Sequence, residues 1–152
     1  MDQKMDLRSE AIDLGKLATL VATHLEVDPA TIHLMPITTG KHNASFWVIA
    51  KQQRWVLRVA PPNSTGLLFY ERQMMRQEPS LHELMRSRTT IPVAQILAAD
   101  FSRADLDRDY VLMTALPGVP LSDASFLNSA QQQHVTLSGW YSSPPIASAD
   151  CF

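Results

Sequence analysis

Two places in this 152-residue chain hold side chains suited to binding phosphate. The first is the polar run Thr39-Gly40-Lys41-His42-Asn43-Ala44-Ser45, set between two short apolar segments. Backbone amides and small hydroxyl groups in such a loop can contact phosphate oxygens. The run is not a Walker loop, because Gly-x-x-x-x-Gly-Lys-Ser/Thr is absent, and it lacks a full Gly-x-Gly-x-x-Gly. An ordinary hairpin loop accounts for the same residues. The second place is Arg58, in the middle of the apolar stretch Trp55-Val-Leu-Arg-Val-Ala60. A cation inside such a strand is costly unless it is paired or reaches solvent. Arg58 is then either an arginine on a solvated sheet face or a cation for a polyphosphate, held by a carboxylate from the following helix. Glu78 and Glu71 are the carboxylates within range in the sequence.

Other chemistry-bearing patterns fail on spacing. His82-Glu83-Leu84-Met85 has no second histidine for a zinc helix. Asp105, Asp107 and Asp109 alternate as in a calcium loop, but Tyr110 stands where glycine belongs and Leu116 where the closing glutamate belongs. The stretch 100–108 therefore reads as a solvated acidic loop. His24 and His33 read as surface residues of a helix and a strand, and no nucleophile–histidine–carboxylate set is identifiable. No catalytic or metal-ligating residue is nominated.

These residues need a scaffold, and the chain's periodicity supplies one. Ser9 to Glu26 reads as an amphipathic helix with Leu14, Leu17, Ala18, Val21 and Leu25 on one face, capped by Ser9 or Asp6 and stopped at Asp28-Pro29. Thr31–Ile37, Phe46–Ala50 and Trp55–Ala60 read as three antiparallel strands, with a polar turn over Lys51–Arg54. Leu67–Arg88 is helical in composition but interrupted at Pro79, which predicts two helices or one kinked helix meeting near Glu78. Val93–Ala99 and Asp109–Ala115 complete a set of five strands. The expected fold is α+β, a five-stranded antiparallel sheet with helices to one side. The expected organisation is an N-terminal helix over 1–30, a sheet-forming lobe over 31–116, a connector with a short helix over 117–134, and an irregular tail over 135–152.

Composition narrows the classes. The length suits one domain able to bury a core, and the 45% hydrophobic content argues against wholesale disorder. A net charge of -2 gives no electrostatic reason to expect nucleic acid. No stretch reaches the roughly 20 apolar residues of a membrane span, and MDQKMDLRSE lacks the apolar core of a signal peptide. With Cys151 as the lone cysteine, a reducing, cytoplasmic setting is expected. All 13 lysines and arginines lie at or before Arg108, and beyond Val111 the charged side chains are Asp123 and Asp150. A folded surface is usually about one quarter charged, so the end of the chain is unlike an ordinary domain surface.

Five segments in order carry a resemblance: Ile37-Thr-Thr-Gly-Lys-His-Asn-Ala-Ser-Phe46; Arg54-Trp-Val-Leu-Arg-Val-Ala-Pro61; Met75-Arg-Gln-Glu-Pro-Ser-Leu-His82; Ile91-Pro-Val-Ala-Gln-Ile-Leu97; and Asp109-Tyr-Val-Leu-Met-Thr-Ala-Leu-Pro-Gly-Val-Pro-Leu121. Together they resemble the N-terminal lobe of the aminoglycoside phosphotransferase and choline kinase-like family, over about residues 31–125. The resemblance implies a protein-kinase-like fold and transfer of the ATP γ-phosphoryl group to a small-molecule hydroxyl. It implies that Gly40, Lys41, His42, Asn43, Ala44 and Ser45 cover the nucleotide phosphates and that Arg58 contacts them. Glu78 would pair with Arg58, with Glu71 as the alternative. Met113, Thr114, Ala115 and Leu116 would form the hinge beside adenine.

The family's catalytic loop, His-x-Asp-x-x-x-x-Asn, and its later metal-binding aspartate motif are absent: no histidine here is followed two residues later by aspartate. The chain therefore reads as a nucleotide-binding lobe truncated before its partner lobe and inactive alone. ATP binding would be weak or lost, Mg²⁺ would bind only with the missing lobe supplied, and the acceptor is unknown. The alternative is a non-catalytic binding or regulatory module of the same fold. Deleting residues 136–152 is expected to leave the thermal midpoint unchanged, and a drop of several degrees in a melting scan would show that the tail packs on the core.

Overall fold

Asp13 starts the first helix. In the computed structural model, which describes residues 12–38, 43–62 and 74–118, the Asp13 carboxylate accepts from the backbone N–H groups of Gly15 and Lys16 at 2.9 and 3.2 Å. These are two of the donors that a helix start leaves without partners. Helix α1 thus runs Leu14–Leu25, shorter than the span expected from periodicity, and the anticipated caps Asp6 and Ser9 lie outside the described residues. The helix stops at Glu26, in the left-handed region at φ 53°, with its N–H donating to the Ala22 carbonyl. Leu17, Val21 and Ala22 are buried, whereas Leu14 in the opening turn is half exposed. Strand β1 begins at His33 rather than Thr31. The reason is local: Asp28 accepts from Ala30 N–H at 2.9 Å, and Pro29 presets a helical φ, so Pro29–Thr31 closes a short 3-10 turn.

The remaining elements are β1 (His33–Ile37), β2 (Ala44–Ala50), β3 (Gln53–Val59), α2 (Met74–Arg88), β4 (Ile96–Asp100) and β5 (Tyr110–Thr114). They form a five-stranded sheet in the order β1-β2-β3-β5-β4, every neighbouring pair antiparallel. The turn between β2 and β3 is tighter than expected. Lys51 and Gln52 alone make it, at φ 47° and 62°, while Gln53 and Arg54 already pair with Ala50 and Ile49. Two consecutive positive φ values match the twist of the flanking strands, and that match offsets the strain of using residues other than glycine.

The sheet is covered on both faces, which corrects the expectation of helices on one side. Phe46, Val48, Leu57, Val59, Tyr110 and Leu112 point toward α1 and pack with Leu17 and Val21. On the opposite face Val111 and Met113 pack with Met75 of α2 and with Ala94. Strand β5 is buried at all four residues Tyr110–Met113, so its unbroken apolar run is what a strand covered on two sides requires. In β2 the strict alternation of buried and half-buried residues marks the α1 face alone as sealed. Pro79 does not divide the second helix. It lies inside α2, where it removes the N–H that would bond the Met75 carbonyl. The anticipated helical residues 67–73 lie outside the described set.

The chain divides after Leu116 into two units. The second, Pro117–Phe152, is described only at Pro117 and Gly118, so the expected connector helix and irregular tail lie outside the described residues. Leu57 is completely buried beneath α1. Leu57→Ala should destabilise the lobe by about 2–5 kcal/mol through lost apolar burial and the residual cavity, read as a lower midpoint in urea unfolding at unchanged slope.

Candidate functional site

Arg58 lies on the α2 face of β3. It stands directly across from Ser45 of β2 on one side and Val111 of β5 on the other. Its Nη1 donates to Glu78 Oε2 of α2 at 2.8 Å, with the arginine side chain 33% exposed and the glutamate 18%. The pairing of Arg58 with Glu78, one of the two carboxylates the sequence offered, is thus formed. Glu71 lies outside the described residues. A guanidinium carries five N–H donors, and among the described residues Glu78 is the partner recorded for Arg58.

The anticipated phosphate loop is only partly described. Gly40, Lys41 and His42 lie outside the described residues, and Asn43 is at a bend. Ala44 and Ser45 belong to β2 rather than to the loop, because they continue the ladder opposite Val59 and Arg58. Ala44 faces the α1 core and is buried. Ser45 shares a face with Arg58, as directly opposed residues do.

At the anticipated hinge, the buried Met113 belongs to the apolar cluster beneath α2. Thr114 N–H donates to the Gln95 carbonyl at 2.9 Å, and Gln95 N–H donates to Thr114 Oγ1 at 2.9 Å. The Thr114 amide is thus committed to the Gln95 carbonyl.

The stretch 100–108 is not simply a solvated acidic loop. Leu106 and Arg108 are buried, and at its end Asp109 is only 2% exposed. Asp109 Oδ2 accepts from Arg76 Nε at 2.8 Å. Its Oδ1 accepts from Arg76 Nη2 at 3.1 Å and from Arg103 Nε at 2.7 Å. Arg76 Nη2 also donates to the Phe101 carbonyl at 3.1 Å, with its guanidinium over the Phe101 ring. Sequence reading missed this cluster. The available signal was the one that singled out Arg58: a charged residue, Asp109, abutting an apolar strand. His24 is an exposed helix residue, as expected, and its Nε2 lies 2.9 Å from the hydroxyl of buried Tyr110. Desolvation, together with the nearby charges of Asp100 and Asp105, pushes that phenol up to about 12. The Ser102 hydroxyl and backbone hold Asp100 below the usual carboxylate range. His82 Nδ1 contacts the Ala94 carbonyl at 2.8 Å and ties α2 to the segment before β4.

An antiparallel five-stranded sheet whose third strand presents a cation paired to a helix glutamate has the architecture of a kinase-like N-terminal lobe. The family model for the phosphotransferase enzyme family APH matches residues 33–138, more than half of the chain. The chain belongs to that family. It is also similar in fold to a crystal structure from Ralstonia eutropha JMP134 whose chain is provisionally assigned as an aminoglycoside phosphotransferase. The TM-score is 0.52 at 19% identity, covering 70% of this chain and 29% of that one. The chain thus spans less than one third of the length of that relative. No curated protein matches. Among the described residues no helix is long and apolar enough to cross a membrane, and no group of three or more His, Cys, Asp or Glu could hold a metal ion.

Burial alone would raise the Asp109 carboxyl, but the hydrogen bonds and charges of Arg76 and Arg103 outweigh it and hold the group below its ordinary range. A carboxyl depressed in the folded state stabilises fully above its unfolded value of about 3.9, and that contribution is lost as pH falls through the folded value. Asp109→Asn should therefore lower the urea midpoint near neutrality. The gap from the parent should narrow as pH is taken below about 4, and a gap that is constant with pH would contradict the ion-pair account.

Proposed function

We propose that this chain is the nucleotide-binding lobe of an ATP-dependent phosphotransferase that acts on a small-molecule hydroxyl, and that it does not turn over by itself. The Arg58–Glu78 ion pair carries the reading. Phosphoryl transfer is accelerated mostly by positioning and by neutralising phosphate charge. A strand cation held at 2.8 Å by a helix carboxylate is preorganised for that task. Glu78 fixes the direction of the guanidinium and leaves other N–H groups for the α- and β-phosphate oxygens. Ser45 lies beside Arg58 on the same face. The segment 39–45 covers the phosphates, and Met113 to Leu116 border the base, with Ala115 and Leu116 supplying the backbone hydrogen bonds.

ATP supplies the phosphoryl group. Mg²⁺ and the residue that orients the acceptor hydroxyl belong to the companion lobe, whose His-x-Asp-x-x-x-x-Asn motif has no counterpart in this sequence. General-base positioning contributes roughly 10²–10⁴-fold, so its absence abolishes measurable turnover. Nucleotide affinity is weak because half of the enclosing cleft is supplied from elsewhere. An ATP-dependent reaction suits the cytoplasm.

The test is titration of Mg-ATP by calorimetry together with a coupled ADP-release assay using aminoglycosides and choline as acceptors. Weak binding that disappears in Arg58→Ala, with no acceptor-dependent ADP release, is the expected result. No Mg-ATP binding by the parent chain overturns the nucleotide reading, and acceptor-dependent release abolished by Arg58→Ala overturns the assignment of catalysis to a companion lobe.

A further inference from the structure

We infer that Asp109 is a positioning residue for the Arg58–Glu78 pair, holding the strand and the helix that carry the pair to one buried point. The inference rests on Arg58 as the nucleotide-facing cation. The Asp109 carbonyl accepts from Ala60 N–H at 2.8 Å, two residues beyond Arg58. The Asp109 carboxylate binds Arg76 of α2 through two nitrogens, two residues before Glu78. Each member of the pair is therefore two residues from a bond to Asp109.

The contacts also set how α2 is rotated. At 3.6 residues per turn, Arg76 and Glu78 are roughly 160° apart around the helix. Met75, the buried residue of α2, lies on the shorter arc between them. The Arg76–Asp109 and Glu78–Arg58 bonds thus grip the helix on both flanks of its one buried side chain. Apolar burial is non-directional and would allow the helix to roll about Met75, whereas a two-nitrogen guanidinium–carboxylate bond fixes orientation. Other ties of α2 to the sheet region are Arg76 to the Phe101 carbonyl, on the same side chain as the Asp109 link, His82 to the Ala94 carbonyl, one turn on from Glu78 along its own face, and Arg86 to the Val93 carbonyl, a further turn on. None of them grips the helix on the Arg76 flank except through Arg76 itself. Arg103 donates to the same carboxylate from the β4–β5 loop and keeps Asp109 ionised and in place.

The experiment compares the full chain with Asp109→Asn, Arg76→Gln, Glu78→Gln and the double variants Asp109→Asn/Glu78→Gln and Arg76→Gln/Glu78→Gln. Arg76→Gln cuts the same link, together with the Arg76 contacts to Phe101, while leaving the Asp109–Arg103 pair, so it tests the inference if Asp109→Asn does not fold. Two readouts are taken on folded variants. The first is the Mg-ATP dissociation constant: breaking the link should weaken it about fivefold in the parent background and add nothing once Glu78 is replaced. An equal loss in both backgrounds means a general structural role and overturns the inference. The second is the ¹⁵N-resolved guanidinium signal of Arg58, identified by its loss in Arg58→Ala, which needs no nucleotide. Restricted Nη rotation in the parent should become averaged in Arg76→Gln or Asp109→Asn, as it does in Glu78→Gln. An Arg58 signal unchanged in both link variants overturns the inference. If the parent binds no Mg-ATP, the nucleotide reading fails, and the Arg58 signal still decides whether Asp109 positions the pair.

Discussion

An ionised carboxylate that gives up nearly all its water persists only where donors replace that water. At Asp109 they arrive from separate parts of the chain, Arg76 on α2 and Arg103 in the β4–β5 loop, while its carbonyl takes the N–H that closes β3. Removing one partner of a buried ion pair leaves the other uncompensated. That constraint makes the position of α2, the path of the loop and the end of β3 interdependent, although they are far apart in sequence.

The two faces of the sheet are held by different physics. Toward α1 the contacts are apolar: Leu17 and Val21 against Phe46, Val48, Leu57 and Leu112. That face provides most of the burial and hence most of the stability. Toward α2 the helix buries only Met75, and guanidinium–carboxylate and histidine–carbonyl contacts do the holding. Such contacts add little net stability where they are partly exposed, but they are directional. A lobe built this way has one face for cohesion and one for setting a cation in a defined direction.

How much was legible depended on the range of the interaction. The alternation in β2, the apolar run of β5 and the polar break after Ala50 are local patterns that mark strands, although the break proved to be a turn of two residues rather than four. Arg58 stood out because a cation in Trp55–Ala60 conflicts with its neighbours, and a conflict of that kind is visible without coordinates. Element ends were harder. Asp13 and Asp28 each captured backbone N–H groups, moving the start of α1 by five residues and that of β1 by two, because a nearby polar side chain can cap at more than one position.

The sequence by itself determined the element types, the antiparallel meander, the presence of a cation in the third strand and the absence of a His-x-Asp-x-x-x-x-Asn motif within these residues, since each is a matter of local periodicity or residue identity. Only the tertiary structure decided that α1 and α2 cover opposite faces, that Glu78 meets Arg58, and that Asp109 joins Arg76 to Arg103. The reason is that side chains 20 or 33 positions apart meet only after apolar burial has chosen which face each strand presents. A period-two pattern says that a strand has two faces, but not which helix will cover either one.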